Sequence, residues 1–145
     1  MWIKNLLWQK YYLQNGLEVW ILPVEGAPIE RFSCVVFGGA RFDEPHAHGG
    51  AHLLEHVMPE NLMSFKSAEA FEQMVEEEGG SLMLGGTTFE GVHWAWSAPT
   101  DSKDLLIGVT DEIGAMIFKN PLRSGLRKEK NIVLSQTFYH QNKLK

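Results

Sequence analysis

His52, Glu55 and His56 stand in the order H-x-x-E-H. Spacings of three and four residues bring side chains onto one face of a helix. Two imidazoles one turn apart can share a tetrahedral Zn²⁺, and the carboxylate between them can reach a water in the metal's open position. The order is the inverse of H-E-x-x-H and carries the same mechanics. The chemistry it points to is metal-assisted hydrolysis; the plain alternative is a helix bearing ordinary surface histidines. His46 and His48 crowd the same segment. An H-x-H pair in a polar loop reads first as solvent-exposed, with an accessory metal site as the other reading.

Such a triad needs a helix, and the pattern predicts one from Gly49 to about Met58, broken by Pro59 and Asn61. Upstream, Asn15-Gly16 between Tyr11–Leu13 and Leu17–Leu22 predicts a β-hairpin, and Arg31–Phe37 predicts a further strand ending at Gly38-Gly39. Downstream, Ser67 reads as the N-cap of a helix that stops at Gly79-Gly80. Val92–Trp96 reads as a strand with Trp94 and Trp96 on its core face and His93 as a packed strand residue. A helix from Ser102 to Pro121 buries Leu105, Leu106, Val109, Ile113, Met116 and Ile117, and a last helix spans roughly Gly125 to His140. The order hairpin, strand, helix, helix, strand, helix, helix implies an α+β domain, a mostly antiparallel sheet packed on one face by helices.

The 145 residues fit one domain. A hydrophobic share of 44% and a charged share of 21% are those of a globular protein. A net charge of −5, with no basic run interleaved with aromatics, argues against a nucleic-acid partner. Cys34, the single cysteine, excludes an internal disulfide and reads as a small buried apolar residue. Met1–Gln14 lacks the apolar core of a signal peptide, no stretch is long enough to span a membrane, and a cytoplasmic location is the default. Glu76-Glu77-Glu78 reads as a solvated helix end, and Gly79–Gly86 lacks the Lys-Ser/Thr of a P-loop.

With its motif placed after two strands, the chain resembles the insulinase (pitrilysin) family of zinc metallopeptidases. Leu13-Gln14-Asn15-Gly16-Leu17-Glu18-Val19 is similar to the family's L-x-N-G-L-x-V opening, and Gly39-Ala40-Arg41-Phe42-Asp43 to its G-S-R-x-E turn. Gly49–His56 fits the G-x-A-H-x-x-E-H core. Gly79-Gly80-Ser81-Leu82 and Glu129–Leu134 match two further recurring stretches in the right order. The resemblance implies a zinc endopeptidase acting on extended peptides or unfolded polypeptide, with His52 and His56 as ligands and Glu55 as general base. It also carries over Glu129 as a functional acid two turns before the third ligand. It implies that this chain is the N-terminal portion of a longer module, working as a homodimer or beside a second module or partner chain.

Three departures qualify that expectation. The family's third ligand is a glutamate, and its position is Gln136 here. A neutral amide removes a full negative charge from the metal's coordination sphere, which weakens binding. His140, one turn on, is a conceivable substitute. Met83-Leu84 replaces the family's Asn-Ala in the strand along which substrate lies, and Gly91 replaces a threonine. The chain also ends at Lys145, before the further elements of family modules. The competing expectation is therefore a non-catalytic peptide-binding or assembly module of the same fold, and a weaker one is a metal-binding protein without hydrolytic activity.

Overall fold

The computed structural model describes residues 7–119, 122 and 124–143, with side chains through Gln136 in the last helix. Pro121, expected to end a helix, and the side chain of His140 lie outside the described residues. Strands β1 (Gln9–Tyr12) and β2 (Glu18–Ile21) form an antiparallel hairpin. Its turn is carried by Gly16 at φ 85°, a conformation open to glycine at little cost. β3 (Ile29–Phe37) follows, then α1 (Gly50–Val57), α2 (Ala68–Glu77), β4 (Ser81–Met83), β5 (Gly91–Pro99), α3 (Lys103–Phe118) and α4 (Leu126–Lys143). Short 3₁₀ turns at Ala40–Phe42 and Pro59–Asn61 flank α1.

The architecture is α+β, and every described strand pair is antiparallel. The sheet differs from the expectation in two respects. The hairpin forms a two-stranded sheet of its own, while β3, β5 and β4 form a second sheet in the order β3-β5-β4. β4, absent from the expected element order because Gly85-Gly86 masked the alternation in the sequence, is the strand that the family resemblance puts at Met83-Leu84.

Residues of one parity on β5 make the core. Val92, Trp94, Trp96 and Ala98 are all buried, opposite Val36, Cys34, Phe32 and Glu30 of β3 in register. Phe32 stacks on Trp96 at 5.5 Å between ring centroids, and the Trp96 indole N–H donates to Thr110 Oγ1 at 3.1 Å. Phe71 and Val75 of α2 and Val109, Ile113 and Met116 of α3 close the core from the helical side, joined by Ala51 of α1 and by Met58 at its C-terminal end. Ser67 caps α2 as expected, accepting from Ala70 N at 3.2 Å. Glu112, within the apolar face of α3, is buried because its carboxylate receives the backbone N–H groups of Met63 and Ser64. Burial pushes the Cys34 thiol above its ordinary pKa, which fits the expected packing residue rather than a nucleophile. Among the described residues no helix is long and apolar enough to cross a membrane.

Candidate metal centre

α1 carries the triad, and both its ends are fastened. At the N-terminus the Asp43 carboxylate accepts from Gly49 N at 2.8 Å and Ala51 N at 2.9 Å. Two otherwise unpaired helix N–H groups are thereby satisfied, by a negative charge at the positive end of the helix dipole. Gly50 leaves room for this carboxylate: a Cβ there would lie 3.2 Å from Asp43 Oδ1, close enough to push on it. At the C-terminus Asn61 Nδ2 donates to the carbonyl of Val57 at 2.8 Å.

On this helix His52, Glu55 and His56 are half-buried, and one ligand atom from each lies within 4.8 Å of the others. Among the described residues they are the only such group. His46 and His48 are exposed and stand outside it. The two imidazoles face each other through Nε2, 3.2 Å apart, with ring planes inclined by 65°. Two nitrogens bound at about 2.0–2.1 Å to a tetrahedral zinc would stand roughly 3.3 Å apart, so the pair fits that ion with little movement. His56 turns its other nitrogen, Nδ1, to the Oε2 of Glu129 at 3.2 Å. An ionised carboxylate only accepts, so this contact puts the ring proton on Nδ1 and leaves a lone pair on Nε2.

Glu129 is 4% exposed and lies on α4, which packs across α1. Its second oxygen meets Lys128 Nζ at 3.3 Å, and Lys128 also reaches Glu60 Oε1 at 2.8 Å. Those carboxylates, Glu60 first, raise the pKa of the Lys128 ammonium. Glu129 thus stands behind His56 rather than with the clustered ligand atoms. The spacing 129, 133, 136 places Val133 and Gln136 on the same face of α4 as Glu129. Val133 is buried, and its Cγ1 would lie 4.0 Å from a Cβ on Gly49. The Gln136 side-chain oxygen is buried and has no hydrogen-bond partner among the described residues. A buried oxygen without a donor is costly and is a usable lone pair for a cation. The two imidazoles therefore fit zinc, and at the sequence position where the resemblance expects a carboxylate this chain carries an amide. Leu126, Ile132 and Leu134, the other described apolar residues of this helix, are exposed.

Glu55 is positioned from the sheet side. Its Oε2 accepts from Thr87 Oγ1 at 2.5 Å. Gly85, at φ +150°, lets the backbone run so close that a Cβ there would stand 2.5 Å from Glu55 Cγ. The segment from Gly85 to Thr87 continues β4, bonds back to β5 through His93 N to Gly86 O at 3.0 Å, and leaves β4 as a sheet edge. Sequence reasoning assigned no part to Asp43, Asn61, Thr87 or Gly85. Asp43 lies in a turn already compared with the family, Asn61 was read only as a helix breaker and Gly85 only as part of a glycine-rich segment, whereas Thr87 carries no local signal.

The chain matches no protein-family model and no curated relative. Solved structures do match it. Superposition on a protease from Helicobacter pylori gives a TM-score of 0.78 at 20% identity, over 93% of this chain and 32% of that one. A peptidase M16 inactive domain from Pseudomonas fluorescens gives 0.75 at 17% identity, over 94% and 32%. Pitrilysin gives 0.66 at 23% identity, over 79% of this chain and 12% of its own length. The chain has the fold of pitrilysin-type M16 peptidases, and it spans about a third or less of each of these neighbours.

Proposed function

We propose that this chain is the metal-bearing part of a zinc endopeptidase that acts on extended peptides. The observation that carries the reading is the His52–His56 nitrogen pair, faced for one ion, with Glu55 beside it and Glu129 behind it. His52 and His56 would hold zinc, with the Gln136 oxygen as a weak third donor. Bound there, the ion supplies Lewis acidity toward a scissile carbonyl and acidifies water. Glu55 acts as general base: Thr87 occupies Oε2, so Oε1 takes the proton and returns it to the leaving amine. Glu129 holds the His56 ring in the tautomer that offers Nε2. The free edge of β4 offers main-chain groups to an extended peptide, and it leads directly into the segment that touches Glu55. The neighbours' greater length supports a further module or partner chain completing the substrate site.

The test is cleavage of an unfolded polypeptide with added zinc, wild type against Glu55→Gln. Zinc-dependent cleavage abolished by the substitution supports the reading; equal cleavage by both forms refutes it. A second reading is favoured by Gln136, where the lost carboxylate charge makes the centre a weak one. In that case the chain is a peptide-binding or assembly module, and peptide binding without cleavage, indifferent to zinc, would single it out.

A further inference from the structure

We propose that Asn61 is a positioning residue for the metal centre: its buried amide ties the end of α1 to the entry of α4 and so sets the His56–Glu129 contact. The inference rests on the metal reading of His52 and His56. Asn61 is only 7% exposed. Its Nδ2 donates to Val57 O at 2.8 Å and to Ser124 O at 3.2 Å, while its Oδ1 accepts from Ser124 N at 3.1 Å. Val57 directly follows His56, and Ser124 lies two residues before the first residue of α4. One side chain therefore joins the two helices on which the centre is built.

The local chemistry explains why an amide is suited to the place. The Val57 carbonyl is among the last four of α1 and has no partner within that helix. The Ser124 N–H and C=O lie ahead of α4's first turn. A carboxamide supplies donors and an acceptor together, which neither a hydroxyl nor a carboxylate can do here. The surrounding contacts point the same way. Ser124 Oγ donates to Glu60 O at 3.3 Å, and Gly125, at φ +83°, packs so tightly that a Cβ would lie 3.0 Å from Glu60 Cβ. Glu60 also holds Lys128, which in turn reaches Glu129.

The His56–Glu129 contact, at 3.2 Å, is already at the long end of an N–H···O bond. A sliding of α4 against α1 by about an ångström breaks it. With it goes the preference for the proton on Nδ1, and with that the lone pair directed at His52. Asn61 touches no reacting atom and acts through Glu129 and His56.

The test reads the tautomer directly, in the zinc-free full chain, by imidazole ¹H–¹⁵N NMR at about pH 8, above the ordinary imidazole range. Wild type should show His56 as the Nδ1–H form, and Glu129→Ala should shift it toward Nε2–H. Asn61→Ala should shift it in the same direction. Asn61→Asp keeps the shape and the Ser124 acceptor but loses both donated bonds, and should do likewise; it carries the comparison if the alanine variant does not fold. Thr110→Val removes the Trp96–Thr110 bond, which joins β5 to α3 and involves neither α1 nor α4, and should leave His56 as in wild type. Zinc affinity, by competition with a chromophoric chelator, should fall about tenfold in the Asn61 variants and not in Thr110→Val. The proposal is overturned by folded Asn61 variants with wild-type tautomer, by Thr110→Val shifting it equally, or by wild type lacking the Nδ1–H form. Failure of every form to bind zinc would instead refute the metal reading, with the tautomer comparison still deciding the role of Asn61.

Discussion

At Gln136 a single atom separates two proteins, since glutamate differs from glutamine only in the oxygen that replaces the amide nitrogen. Gln136 stands at the sequence position that the family resemblance assigns to the third ligand, and its side-chain oxygen is buried without a hydrogen-bond partner among the described residues. Gln136→Glu restores the missing charge, so zinc affinity should rise tenfold or more in chelator competition. Equal affinity in the two forms would show that another group already completes the site. Glu55→Gln keeps shape and removes the base, so zinc-dependent cleavage should fall by about two orders of magnitude or more while zinc binding is retained. Activity that survives would point to a different mechanism. His52, Glu55 and His56 were legible because helical periodicity turns sequence spacing into spatial proximity. The resemblance singled out Glu129 as a functional acid, but its contact with His56 across 73 positions emerges only in the structure. Thr87 gave no sign, because its bond to Glu55 depends on how a glycine-broken strand passes a helix.

Among the elements, α1 has the least stability of its own. Eight residues are too few for an isolated helix in water, so its order comes from packing and from both fastened ends. Asp43→Ala removes two charge-assisted bonds to its N-terminus and should cost about 1–2 kcal/mol, read as a lowered urea midpoint. No change would mean that packing alone holds the helix. Gly85→Ala strains a backbone at φ +150° and pushes on Glu55, so cleavage should drop more than stability does. The longer elements were readable because their apolar periods persist over several turns or alternations, as in α3 and β5. β4 was legible only through the resemblance, since a three-residue strand before paired glycines makes no pattern, and its existence depends on pairing with Ala95, Trp96 and Ser97. Among the described side chains of α4 the burial is carried by Glu129 and Val133, with Gln136 half-buried, so Leu126, Ile132 and Leu134 were a poor guide to its packed face.

For the whole molecule, the α+β class followed from the order of elements, but the split into two sheets did not. Which strands neighbour one another is decided by long-range packing that alternation does not encode. The split leaves much apolar surface open: Phe37 is 85% exposed, Phe89 67% and Trp8 60%. Contact surfaces are a usual meaning of such patches. Sedimentation velocity at micromolar concentration should therefore show self-association, or a partner module should bind; a monomer without concentration dependence would show that these groups tolerate water. The hairpin has a further consequence. Its two strands pair with each other, and only Val19 among their residues is even half-buried. A lone two-stranded ribbon is marginal in water. Backbone amides from Gln9 to Ile21 should therefore exchange with deuterium through local openings, far ahead of those in β5, where exchange awaits global unfolding.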